Sequence, residues 1–225
     1  MKLIIKILLG ISIVFLGYFC IMSIVAPIRF EEQRVKREAV VIASLMDMRK
    51  AEIEYKNQHG RYTASIDTLI MFLKNGKMKT VKKEGTLTDE QLEKGLTEAK
   101  ALAIVKRGNA KEIAENGLQG FSRDTTYSNI IASLFEGKFD ENTINNIAVV
   151  PFSDGKMFEV EVNSTEKNGM IIPMFEVRAH YNVFLEGLNK QEKINLIDLQ
   201  EKLEKYPGLK VGSVTEPSTT GNWES

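Results

Sequence analysis

The chain has 225 residues, with 30 Lys and Arg against 30 Asp and Glu, so its formal net charge is zero. A balanced charge gives no concentrated basic face, and we therefore expect no nucleic-acid partner. Cys20 is the single cysteine, which excludes an intramolecular disulfide and leaves packing alone to stabilise the domain.

The first residues predict a transmembrane anchor over residues 1–26. No residue from Ile7 to Val25 is charged, and a helix over this run is roughly 28 Å long, close to the ~30 Å hydrocarbon core of a bilayer. Lys2 and Lys6 precede the run and predict a cytoplasmic N-terminus, although Lys and Arg also follow it. The alternative is a cleaved signal peptide, but the run is too long and Pro27 makes a poor cleavage context.

Residues 27–76 are predicted to form a long helix to about His59 and, after a turn, a short helix that begins near Ser65. Within the long helix an apolar stripe recurs at helical spacing. Its membrane-proximal members are the candidate helix-interaction residues Val35, Ala39, Ile42 and Met46. Such a stripe packs either on the protein's own sheet or on a partner helix. The turns nearest the membrane favour the partner helix.

Residues 77–225 are predicted to form an α+β domain outside the cytoplasm. Residues 77–87 resemble a short hairpin, and Thr88 opens a capping box ahead of a helix. Residues 157–163 and 170–181 are predicted strands, and within them residues 158–163 and 175–180 alternate apolar and polar side chains, as strands of an antiparallel sheet do when one face is buried. Pro173 predicts a strand edge or a bulge. The fold class is therefore α+β, with an N-terminal transmembrane helix, a long amphipathic helix, small helices and a C-terminal antiparallel sheet.

Residues 45–72 resemble the segment in which the long N-terminal helix of type IV pilins and type II secretion pseudopilins ends. In those proteins an R-x-A-x-x-x-Y helix runs into an N/Q-x-G-[RK]-Y-x-x-S-x-x-x-L turn. The matching positions are Arg49, Ala51, Tyr55, Gly60, Arg61, Tyr62, Ser65 and Leu69. The resemblance implies an envelope protein with Tyr62 packed back near Tyr55.

The apolar run departs from the prepilin pattern. A prepilin has a Gly followed by Phe or Met, with Glu at the fifth position. Here Ile11 follows Gly10 and Phe15 holds the fifth position. The side chain that supports processing and subunit docking is missing, so the resemblance implies an assembly component more readily than a polymerising subunit.

The C-terminal half ends in NLIDLQEKLEKYPGLKVGSVTE, residues 195–216, and GNWE, residues 221–224. With these segments it resembles uncharacterised single-pass envelope proteins of the Bacteroidota. That resemblance implies a Gram-negative inner membrane and a periplasmic domain. It also makes Asp124-Thr125-Thr126 a candidate O-glycosylation tract, with Thr125 as the acceptor.

The sequence contains no pattern typical of catalysis. His59 and His180 are the two histidines, and neither has a carboxylate or thiol at metal-ligand spacing. There is no nucleophile elbow and no glycine-rich phosphate loop. We therefore expect no cofactor and no enzymatic activity. The expected function is a structural or assembly component of the envelope whose partners are other envelope proteins or copies of itself; the alternative is a periplasmic ligand- or glycan-binding sensor.

Overall fold

The computed structural model describes the backbone of residues 2–224 and their side chains, except those of residues 2, 80, 81, 124 and 125. It confirms the α+β class. The chain divides into two compact units: residues up to 73 together with those from 140 onward, here called the helix–sheet unit, and residues 74–139, here called the inserted unit.

The helix–sheet unit combines one long helix with a three-stranded antiparallel sheet. Its elements are α1 (Lys2–His59), α2 (Ile66–Asn75), a 3-10 helix (Thr143–Ala148), β3 (Glu159–Lys167), β4 (Met170–His180), α7 (Tyr181–Phe184), α8 (Lys190–Lys202) and β5 (Gly208–Ser213). The inserted unit has β1 (Lys77–Glu84), α3 (Asp89–Glu93), α4 (Glu98–Arg107), α5 (Ala110–Glu115), β2 (Ser122–Asn129) and α6 (Ile130–Phe135).

Helix α1 runs without interruption from the apolar segment into the helix–sheet unit. It is long and apolar enough to span a membrane, with a mean hydropathy of 2.5 over its most apolar window, none of which is buried. Pro27 lies inside the helix. Proline removes one backbone hydrogen bond and crowds the preceding turn, but α1 stays helical on both sides of it.

The second half of α1 packs against β4, β5 and the 3-10 helix. Val41, Leu45 and Met48 from α1 are fully buried, as are Phe175 and Val177 from β4. Each fully buried aliphatic or aromatic side chain contributes about 1.5–3 kcal/mol through removal from water. This contact is therefore the core that holds the sheet on the helix.

The sheet has the strand order β3-β4-β5. Pro173 pairs with Ser164 of β3, whereas the pairing of β4 with β5 begins only at Phe175. Pro173 therefore lies where β4 has a neighbour on one side only, and the missing N–H is tolerated there. The prediction that the strand begins at an edge holds for the first residues of β4, whereas from Phe175 onward β4 is the central strand of the sheet.

The turn from α1 to α2 has the local chemistry that the sequence predicts. Gly60 adopts φ +74°, the left-handed conformation in which helices commonly end. The Thr68 N–H donates to Ser65 Oγ at 3.3 Å, so Ser65 caps α2. The Tyr62 ring packs on Phe175 at 4.5 Å between centroids. Tyr55 lies instead beside His59 and Phe72.

In the inserted unit, β1 pairs with β2 along its whole length, from Lys77 opposite Asn129 to Glu84 opposite Ser122. The hairpin predicted within residues 77–87 is therefore wrong, because its supposed second half follows β1 as loop. Between the strands, α3, α4 and α5 begin at the capping residues Thr88, Thr97 and Asn109. They enclose a small apolar cluster of Ala101, Ile104, Leu118 and Phe121.

Candidate interaction surfaces

The predicted helix-interaction stripe lies outside the core. Val35 is 52% exposed, Ala39 is exposed, and Ile42 and Met46 are half-buried. The buried face of α1 is a second stripe, which includes Val41. Val35 and Ala39 therefore do not pack on the protein's own sheet. Both present apolar surface to the outside, in the turns of α1 that follow the apolar segment.

Arg37 connects the part of α1 that follows the apolar segment to the end of α7. Its Nη1 donates to the carbonyl oxygens of Phe184 and Glu186, each at 2.8 Å. Its guanidinium also lies 5.0 Å from the centroid of the Phe152 ring, within the range of a cation–π contact. One side chain thus ties α1 to two separate loops of the helix–sheet unit.

A second set of contacts between α1 and α7, about one turn from Arg37, involves Arg34 and Glu38. Arg34 donates to the carboxylates of Glu31 and Glu38. Tyr181 of α7 is buried beside them and hydrogen-bonds to Glu38. Burial and the adjacent Glu38 carboxylate raise the pKa of Tyr181 to about 12, so at neutral pH its hydroxyl keeps its proton and donates to Glu38.

The face of the sheet that carries Arg178 is covered by an ion-pair network. Arg178 contacts Glu159, Glu161 and Glu176 at 2.8–3.3 Å, and Lys210 contacts Glu176 at 2.8 Å. Glu176 is buried at 6% exposure. Opposite charges on neighbouring strands stabilise such a face, and each of its three carboxylates has a cationic partner within the sheet.

An open groove lies where the α1–α2 turn meets the hairpin of β3 and β4. Its volume is about 720 Å³. Aromatic, hydroxyl, amide and guanidinium groups line it, among them Tyr55, Arg61, Tyr62, Thr63, Asn163 and Ser164. Several of these groups already bond within the protein, for example Asn163 Nδ2 to the Val214 carbonyl at 3.0 Å. The groove can offer hydrogen bonds to a polar ligand, and its lining has no histidine, aspartate, glutamate or cysteine.

Glu52 is the fully buried carboxyl of α1, at 0% exposure. Its Oε2 accepts the Thr63 backbone N–H at 3.1 Å, which joins α1 to the turn that follows it. Its Oε1 has no hydrogen-bond partner within the part of the chain that the structure describes. Burial raises the pKa of Glu52 to about 7, and the Thr63 N–H opposes this rise in part.

Both histidines have structural roles. His59 stacks on Tyr55 at 4.3 Å in the last turn of α1. His180 Nδ1 accepts the Asn182 N–H at 3.0 Å and so caps α7. Among the described residues, no group of three or more His, Cys, Asp or Glu is placed to hold a metal ion.

The candidate glycosylation site belongs to the inserted unit. The backbone of Thr125 belongs to β2, opposite Val81. The Thr125 side chain lies outside the described residues. Thr125 stays a prediction from the sequence.

Comparison with known proteins adds nothing to these surfaces. No protein-family model matches the chain, and no curated protein or solved structure is significantly similar to it.

Glu52 predicts that the stability of the helix–sheet unit falls as the pH rises. The pKa of this carboxyl is 4.5 in the unfolded chain and about 7 in the folded one, so between these values the folded state binds more protons. The stabilisation is complete below pH 4.5 and is lost as the pH rises through 7, a total of about 3 kcal/mol.

Urea unfolding of the detergent-solubilised chain, followed by the fluorescence of its single tryptophan, Trp223, measures this change. The matched variant Glu52→Gln cannot ionise. It should equal the native chain near pH 4 and exceed it by about 3 kcal/mol near pH 8. Identical pH profiles for the two chains would show that Glu52 does not titrate as described.

Proposed function

We propose that this chain is a membrane-anchored, non-enzymatic interaction component of the cell envelope. Helix α1 holds it in the inner membrane with the N-terminus in the cytoplasm, and the helix–sheet unit stands in the periplasm. The proposal includes a relation to the machinery of type IV pili and type II secretion, on the strength of the sequence resemblance in residues 45–72.

The observation that carries the proposal is the exposed apolar stripe on a helix that is continuous with the membrane-spanning segment. Val35 and Ala39 follow that segment by only a few turns. Ile28 is 62% exposed and extends the same apolar surface toward the membrane. Residues seven apart on a helix lie on nearly the same face, so Ile28, Val35 and Ile42 form one line. A partner helix from another envelope protein, or from a second copy, would cover this line.

The chemistry of the described residues is consistent with an interaction role. The buried carboxyl Glu52 bonds to a backbone N–H, and both histidines stabilise helix ends. Such groups support a fold and need no substrate.

A charge on the stripe should weaken partner binding without unfolding the protein. Val35→Glu places a carboxylate in the contact, where an unpaired charge costs about 2 kcal/mol or more, so we expect roughly a tenfold or greater loss of cross-linked partner. Because Val35 is half exposed, the free energy of unfolding should change by less than about 0.5 kcal/mol.

The measurement is chemical cross-linking in native membranes, followed by affinity purification and quantification of cross-linked partners, including copies of the chain. Gln33→Glu is the matched control, because it adds the same charge at the same height on another, exposed side of α1. Equal losses in Val35→Glu and Gln33→Glu, or no loss in either, would contradict the proposed contact.

A second candidate function, a periplasmic sensor for a small polar ligand or glycan, is favoured by the groove beside Tyr62. If the protein has this sensor function, a soluble glycan should raise the melting temperature of the chain by several degrees at saturation. Ser164→Trp, which fills the groove from the exposed hairpin, should remove the shift. Screening that produces no shift, or a shift that persists in Ser164→Trp, leaves the interaction function as the better account.

A further inference from the structure

Helix α8 carries apolar side chains that the helix–sheet unit does not cover. In α8, which the structure describes in full, no side chain is buried. Leu199 is 53% exposed, and Leu203, which directly follows the helix, is 55% exposed. Together with the half-buried Leu196 they recur at a spacing of three and four residues, so they share one side of α8. We call Leu196, Leu199 and Leu203 the leucine stripe.

The leucine stripe borders the part of α1 that leaves the apolar segment. An open groove of about 690 Å³ is lined by Leu196 and Leu199 of α8 and by Pro27, Ile28 and Phe30 of α1. Most of its surface is apolar, and Glu31, Glu32 and Glu192 also border it. Apolar side chains of α1 and α8 therefore meet at this groove, with acidic side chains beside them.

The position of this groove along α1 shows which layer of the bilayer it would face. The uncharged run of α1 ends at Ile28, and Arg29 is the first charged residue beyond it. The edge of the hydrocarbon core therefore lies in the turn that contains Pro27. The α1 wall of the groove, from Pro27 to Glu32, rises only about 8 Å along the helix axis. The interfacial layer on each side of a bilayer is roughly 5–8 Å thick, so the groove occupies the same level as the lipid headgroups.

The contacts of Arg37 with α7 keep α8 at the level of the lipid headgroups. Arg37 holds the end of α7 by two hydrogen bonds to carbonyl oxygens, and α8 follows α7 after a short loop. The helix–sheet unit is therefore fixed to α1 within about three turns of the bilayer edge. Interfacial helices bury their apolar face about 5–10 Å deep in the boundary between headgroups and acyl chains. Helix α8, with its uncovered apolar stripe, lies at the same level.

We propose that α8 is an interfacial helix whose leucine stripe inserts into the headgroup layer of the bilayer in which α1 is anchored. The inference rests on the anchoring of α1 given under Proposed function. The charges of α8 balance, with Lys190, Lys193 and Lys202 against Glu192, Asp198 and Glu201. Insertion therefore depends on apolar burial, and a zwitterionic phosphatidylcholine bilayer is sufficient for it.

Site-directed spin labelling tests this insertion. The full chain with Cys20→Ala, which removes its only cysteine, receives a single cysteine for the nitroxide and is placed in phosphatidylcholine nanodiscs. Labels at Leu199→Cys and Leu203→Cys should collide with oxygen more than with the water-soluble nickel chelate. A label at Glu201→Cys, exposed on another side of α8, should show the reverse preference.

A label at Phe15→Cys, in the middle of the apolar run, separates this inference from the anchor itself. If Phe15→Cys is lipid-embedded while Leu199→Cys and Leu203→Cys match Glu201→Cys, the interfacial role of α8 is overturned and the anchor stands. If Phe15→Cys is accessible to the nickel chelate, the anchor fails and the inference fails with it. Leucine-stripe labels shielded from both reagents would show that protein covers the stripe, which also overturns bilayer contact.

Discussion

The proposed function requires one helix that satisfies two solvents. From Lys2 to His59 α1 is helical throughout, so its backbone hydrogen bonds are internal, as crossing hydrocarbon requires. The same helix provides the wall on which the sheet packs. Under the proposed anchoring, Pro27 lies at the junction of the two environments. The carbonyl of Ser23, which Pro27 deprives of a partner, would then lie close to the bilayer edge, where water and headgroups supply donors that the hydrocarbon core lacks.

Because the helix is shared, the attachment of the sheet also sets its distance from the apolar segment. Val41 and the residues beyond it supply the apolar contact. Arg37 and the Arg34–Glu38–Tyr181 group extend the attachment toward the apolar segment. Under the proposed anchoring, these contacts would hold the domain next to the bilayer, with the apolar line through Val35 at the height where other membrane-anchored helices pass.

Much of the fold could be predicted because its signals are local. The uncharged run, the helix end at Gly60 and the alternation in β3 and β4 need only neighbouring residues. The pairing of β1 with β2 could not be predicted, since it joins segments separated by three helices. The apolar pattern of α1 contains two stripes, and Glu52 lies on the one that is buried. Helical spacing alone does not show which stripe faces the sheet, and the burial of Glu52 depends on the Thr63 N–H, which comes from the turn beyond the helix. The groove beside Tyr62 could not be predicted from the sequence either, because it forms from a turn and a hairpin that lie far apart in the chain.

The proposed function requires that the mature protein keep the N-terminal segment of α1. Intact-mass spectrometry of the native protein from carbonate-washed membranes measures whether it does. We expect a membrane-bound chain whose mass includes the whole apolar run from Ile7 to Val25. A mature chain that begins near Pro27 and is recovered in the soluble periplasmic fraction would overturn the proposed anchoring.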